Sequence, residues 1–191
     1  AIQTQPADTI PLQLAEADIL RMANKPGASF DVLELVLALD ADNIDALYMS
    51  ALAAEPLGKY EIMEQRLRRV IELKPDHAHA YNALGYSFAD RNVHLDEAEK
   101  LLAQAIKLAP EDAAILDSVG WLRFRQGDYP AAKEFIQKAM KLFNDPEVVM
   151  HCIEILWVSG QKDEARTMFK EILKIERTND QLKKLEKRLG L

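Results

Sequence analysis

Side chains suited to chemistry are scarce in this chain, which has four histidines and one cysteine in 191 residues. His151 and Cys152 are adjacent, and a thiol beside an imidazole is the makings of a nucleophile and its base. Adjacent residues on a helix, however, point about 100° apart and do not face each other. Cys152 is expected to be a buried apolar position with an inert thiol. His77 and His79 stand two apart, a poor spacing for one helix face, and no cysteine or third nearby histidine completes a zinc set. Asp40, Asp42, Asn43 and Asp45 resemble the opening of a calcium loop, but the glycine is missing and the closing glutamate is not in place. These side chains are expected to cap a helix starting near Ile44. There is no P-loop, no GxGxxG and no HExxH. The expectation is a non-enzymatic protein without metal or cofactor.

The elements that carry these residues are constrained by composition. Apolar residues make up 49% and charged residues 29%, with only 7 glycines and 8 prolines, which disfavours long irregular or all-β structure. The net charge of −7 leaves no global positive field for phosphates, so nucleic acid is not an expected partner. Arg66, Arg68 and Arg69, and Lys183, Lys184, Lys187 and Arg188, are expected to decorate solvated helix faces. The longest apolar run, Val32 to Leu39, is interrupted by Glu34 and is far too short for a membrane span, so direct insertion of this chain is not expected. A lone cysteine cannot form an internal disulfide. Because the chain begins at Ala1 rather than Met, it is expected to be a processed or trimmed form that an export signal or lipid anchor could have preceded.

A repeat organises the whole. Pro75 and Pro110 lie 35 residues apart, as do Gly85 and Gly120, while Gly127 and Gly160 lie 33 apart. Ala98, Ala132 and Ala165 recur at 34 and 33, each followed four positions later by Leu102, Ile136 or Phe169. Each period holds two amphipathic segments with apolar residues at helical spacing, for example Ala80 to Arg91 and Asp96 to Leu108. Gly58, Gly127 and Gly160 fall where left-handed helix ends are needed, and Asp76, Asp112 and Asp145 can cap the helices that follow. Glycine or alanine at fixed places lets paired helices approach closely, and the bulky residue four positions on fills the gap beside it.

In these residues the sequence resembles the tetratricopeptide repeat (TPR) family, whose unit of about 34 residues is a helix, a turn and a second helix. The best unit reads Tyr81, Leu84, Gly85, Phe88, Ala98, Leu102 and Pro110, with one extra residue in the turn around Asn92 to His94. The resemblance implies an all-α fold, a right-handed superhelical α-solenoid of helix-turn-helix repeats with capping helices. It implies an irregular segment at 1–11 and a degenerate helix pair at 12–43, seen in Leu12 to Asn24 and Ser29 to Asp40. Repeats follow at 44–77, 78–112, 113–145 and 146–177, then a final helix at 178–191 opened by a Thr178 to Gln181 capping box. The stretches NALGYSFADR and LDEAEKLLAQAIKLAPEDAAILDSVGW are also similar to segments of proteobacterial cell-envelope TPR proteins, outer-membrane lipoproteins especially. That likeness implies an envelope adaptor.

The resemblance further implies a partner-binding inner groove lined by the first helices. Its positions fall here on Tyr48 and Met49 in one repeat and on Asn82 and Tyr86 in the next. The third supplies Asp117, Trp121 and Arg125, and the fourth His151, Glu154 and Trp157. Aromatics interleaved with polar side chains suit capture of a peptide or protein segment, since rings add apolar area at small entropic cost; the alternative is that Trp121 and Trp157 pack against adjacent repeats. The Lys, Asn and Arg clamp of chaperone-binding members is absent: Tyr48, Leu52, Asn82, Tyr86, Asp117 and Trp121 stand there. The expected function is a non-catalytic interaction scaffold or adaptor. The alternative is a self-associating assembly module, motivated by the poorly matched helices before Ile44.

Overall fold

Punctuation in the sequence sets the helix ends. A computed structural model of the protein describes residues 9–143, 145–176 and 179–191. Among the described residues there are eleven α-helices and no strand: α1 Ile10–Met22, α2 Pro26–Leu39, α3 Ile44–Ala54, α4 Tyr60–Leu73, α5 Ala78–Asp90, α6 Leu95–Leu108, α7 Ala113–Arg125, α8 Tyr129–Leu142, α9 Pro146–Val158, α10 Lys162–Ile175 and α11 Asp180–Leu189. The fold is thus all-α.

Several ends follow the expected chemistry. Asn43 caps α3 by accepting from the Ala46 amide at 3.0 Å, Asp112 caps α7 by accepting from Ile115, and Asp145 caps α9 by accepting from Glu147. Gly58, Gly127 and Gly160 adopt φ of 70°, 83° and 88°, a left-handed conformation that costs other residues a Cβ clash. Other ends correct the sequence reading. At α5 the Ala80 amide donates to the His77 ring at 3.1 Å, so the imidazole, not Asp76, supplies the side-chain cap. Pro11 lies in the first turn of α1 and Pro26 opens α2, because a helix start tolerates the missing N–H. Both helices therefore begin earlier than the sequence suggests. The extra residue between α5 and α6 is absorbed by two left-handed residues, Asn92 and His94. Asn179 caps α11 by accepting from the amides of Gln181 and Leu182; Thr178 lies outside the described residues, as do 1–8.

The chain divides into two compact units, Ala1–Leu84 and Gly85–Leu191, with the boundary inside α5. In the first unit α1 packs on α2, α2 on α3 and α3 on α4. Its core includes Ala17, Leu33, Val36 and Ala46, and the buried Ser29 hydroxyl donates to the Ala17 carbonyl at 2.8 Å. In the second unit α6 packs on α7, α7 on α8, α8 on α9, α9 on α10, and α11 lies against α9.

The small residues sit where two helices meet. A Cβ added to Gly85 would lie 2.8 Å from Leu102 Cγ and 3.3 Å from the Ala98 carbonyl. At Gly120 it would lie 2.8 Å from Ile136 Cγ1 and 3.2 Å from the Ala132 carbonyl. Thus the glycine of one helix, the alanine of its partner and the bulky residue four positions on form one steric unit, repeated.

Cys152 is buried, 3.9 Å from the Met168 sulfur, and burial pushes its thiol up to about 11. At about pH 7.5 the native chain is therefore expected to react with Ellman's reagent far more slowly than glutathione, and the urea-unfolded chain at a comparable rate. Equal rates for native chain and glutathione would contradict the burial.

Candidate functional site

Repetition places like positions of successive first helices side by side, and in the second unit these positions carry polar and aromatic groups. Asp117 on α7 and His151 on α9 stand 34 residues apart, and His151 Nδ1 lies 2.9 and 3.0 Å from the two Asp117 carboxylate oxygens. The His151 ring stacks on Trp121, centroids 4.1 Å apart, and Trp121 stacks in turn on Phe124 at 4.9 Å. Trp121 Nε1 donates to the Asp90 carboxylate at 3.2 Å. Arg125 donates to the Asp90 carbonyl at 2.7 Å and lies 4.8 Å from the Trp121 ring centre. The Tyr86 hydroxyl donates to Glu147 at 3.0 Å, and Arg188 of α11 donates to Glu154.

Together these groups border a pocket of about 590 Å³, with α5, α7, α9 and α11 each contributing to its wall. Tyr86, Asp90, Trp121, Glu147, Met150, His151, Glu154 and Arg188 are among its lining residues. The size lies within the range of ligand-binding clefts, and apolar rings with a few convergent polar groups are their usual lining.

The electrostatics follow from burial and neighbouring charge. Burial works against charge on His151, but the Asp117 hydrogen bond and the charges of Asp117, Glu147 and Asp90 hold it above the ordinary histidine value. Burial raises Glu154 above the ordinary carboxylate range against the pull of Arg188 and Arg125. Burial, aided by Glu147, Asp90 and Asp117, raises Tyr86, so its hydroxyl stays a donor. In the first unit, burial lowers His77 from the ordinary value of 6.5, with Lys74 and His79 adding repulsion. The neutral ring suits its acceptor role in the cap.

Two histidines thereby give opposite pH signatures. The raised His151 adds stability that is fully present below about pH 6.5 and lost as pH rises through its higher folded value. The lowered His77 adds stability present above about 6.5 and lost as pH falls through its lower folded value. Thermal melts across roughly pH 4.5 to 9 should show His151→Gln flattening the alkaline side of the profile and His77→Asn the acid side. Interchanged effects would refute the assignment.

The residues expected to line a groove meet different fates. Trp121 is 2% exposed, Asp117 6%, and His151 and Glu154 8% each, so these four are interior rather than water-facing. This corrects the expectation of an open surface: facing α7 and α9 interdigitate, and α11 lies over α9. Tyr86 and Arg125 are partly exposed beside them. Trp157 does not line the pocket; its partly exposed ring is flanked by Lys162 at 5.0 Å and Arg166 at 5.2 Å. In the first unit Tyr48 packs against His77 with centroids 4.9 Å apart, and Met49 packs on the core. Asn82 is partly buried, with Oδ1 lacking a hydrogen-bond partner in the structure. Glu147 is not among the positions the sequence singles out, and Arg188, expected only to decorate a solvated helix face, instead lines the pocket and pairs with Glu154. Arg188 follows buried Leu185 by three positions and so flanks the apolar stripe, a signal the lysine-rich outer face obscures.

Among the described residues no group of three or more His, Cys, Asp or Glu side chains is arranged to hold a metal ion. No described helix is long and apolar enough to cross a membrane.

Fold and lining define a class, the helix-pair repeat proteins. Tetratricopeptide repeat family models match residues 44–77, 89–147 and 123–189. The chain belongs to the tetratricopeptide repeat family. It is 37% identical over 147 residues to the TPR repeat-containing protein PA4667 of Pseudomonas aeruginosa, a match covering 77% of this chain. The chain spans about a quarter of the length of that curated relative, the match covering 25% of it. The crystal structure of TTC0263, a thermophilic TPR protein of Thermus thermophilus, superposes with a TM-score of 0.84 at 20% identity, covering 95% of this chain and all of the other. The PilF structure from Pseudomonas aeruginosa gives 0.73 at 18% identity, covering 97% and 84%. These structures share the fold. Proteins of this family generally mediate protein–protein interactions and are typically non-catalytic scaffolds.

Proposed function

We propose that this chain is a non-catalytic interaction module that holds a peptide or protein segment in the pocket of its second unit, as an adaptor or scaffold in the bacterial cell envelope. The observation that carries the reading is the pocket itself, about 590 Å³ walled by Tyr86, Trp121 and Met150 and edged by paired charges. The buried Trp121–His151 stack gives it a rigid floor, and partly exposed Tyr86 and Met150 offer apolar contact to an incoming segment. The envelope setting rests on the sequence likeness to envelope TPR proteins.

Panning a random peptide library against the chain tests the pocket. Sequences are expected to enrich that bind the native chain and bind clearly more weakly to Met150→Ala, a neutral truncation at a partly exposed position. No enrichment, or enriched peptides indifferent to Met150→Ala, would reject it.

Self-association is the second reading, and one observation favours it. Leu12, Ile19 and Met22 of α1 are 74%, 66% and 75% exposed, and their spacing sets them on one helix face; Leu35 and Leu39 of α2 are exposed as well. A concentration-independent monomer in sedimentation velocity removes this reading.

A further inference from the structure

We propose that the pocket of the second unit accepts a cationic side chain, lysine or arginine, from the bound segment, and that Arg188 occupies that position while the pocket is free. The inference rests on the interaction reading above and names the chemistry its partner must carry.

The pocket wall built by α5 and α9 presents carboxylates from separate turns: Asp90, Glu147 and Glu154, with Asp145 at the start of α9. The basic side chains lining the pocket, Lys184 and Arg188, both come from α11, apart from His151, which Asp117 already engages. An acidic wall thus faces a basic helix belonging to the same chain.

The pairing within it is unequal. Glu154 has a side chain only 10% exposed, whereas that of Arg188 is 57% exposed, two residues before the left-handed Gly190 that ends α11. A buried carboxylate left unpaired is costly, so Glu154 requires a cation, but nothing in its geometry requires that particular one. Arg188 reaches it from an exposed stem that a competing guanidinium or ammonium can displace into water at small cost.

The remaining walls suit the same guest. The partly exposed Tyr86 ring borders the pocket and can receive a cation on a π face. Glu147 takes the Tyr86 hydroxyl on one oxygen, and an ionised carboxylate has capacity for further donors. An anionic guest would meet the carboxylate wall, and an apolar one would strand Glu154 if it displaced Arg188.

The probe is an acetylated, amidated Gly-Gly-Arg-Gly-Gly peptide, compared with its counterpart carrying uncharged citrulline in place of arginine. Binding is read from the Trp121 indole N–H resonance. The arginine peptide is expected to bind about tenfold more tightly than the citrulline peptide, and Glu154→Gln is expected to abolish that difference. Arg188→Ala, at an exposed position, is expected to bind the arginine peptide about threefold more tightly than the native chain, because the internal competitor is gone. Equal binding of the two peptides, or no gain in Arg188→Ala, overturns the inference. Library-selected peptides that bind through Met150 without preference for a cation would overturn it while leaving the interaction reading standing. Failure to select any peptide would strike that reading itself.

Discussion

Replacing Trp121 with alanine destabilises the second unit by about 3 to 5 kcal/mol, the range for losing a large buried aromatic. Two contributions combine. The indole is 2% exposed between Phe124 and His151, and neighbouring helices cannot collapse fully into the space it leaves. Its N–H also satisfies Asp90, which Arg125 engages too, so the truncation removes one of two donors to that carboxylate. Trp121→Phe retains ring packing and loses the donor and part of the volume, for an expected loss of about 1 to 3 kcal/mol. Urea unfolding followed by circular dichroism gives both values. A midpoint unchanged in Trp121→Ala would show that the stack carries no stability. The same result bears on function: an alanine at this position weakens any partner binding through the fold, and only partly exposed positions such as Met150 report contact directly.

Leucine at Gly120 is the second large effect, with an expected loss of about 1 to 3 kcal/mol or somewhat more from overpacking. Leucine favours a helix by about 1 kcal/mol over glycine, which would make the change stabilising on an isolated helix. Geometry reverses the sign. Even the first added carbon meets Ile136 Cγ1 at 2.8 Å and Cδ1 at 2.9 Å, and Ile136 is wholly buried and cannot swing away. The Ala132 carbonyl at 3.2 Å is backbone, so relief requires α7 and α8 to separate. Combining Gly120→Ala with Ile136→Val should recover part of the loss of Gly120→Ala alone. Strict additivity in that cycle would show that the two positions do not share a contact.

The helix-pair contacts are legible in the sequence because their determinants are close together along it. Gly120, Ala132 and Ile136 span a single hairpin, and a glycine facing an alanine with a bulky residue one turn later has one steric meaning. Caps at Asn43, Asp112 and Asp145 are legible for the same reason, being satisfied within two or three residues. The site is legible only as a set of positions. Asp117 pairs with His151 one repeat away, Glu154 with Arg188 one repeat further, and Tyr86 with Glu147 61 residues on. Periodicity identifies which face of each first helix points toward the next. It does not say whether the side chains there remain in water or close on one another, which depends on the fit of α7 to α9 and on α11 covering the end. Hence Trp121 and His151, expected to face an open groove, are instead buried and stacked on each other.

If the pocket of the second unit is where a partner segment is held, the methyl spectrum of the chain, recorded together with the Trp121 indole N–H during titration of a library-selected peptide, measures it most directly. The Met150 methyl and the Trp121 N–H should shift together and saturate at one affinity, while the methyl of Met63, buried in the first unit, stays fixed. Shifts that leave Met150 and Trp121 unmoved while the peptide binds would place the partner elsewhere and contradict the account.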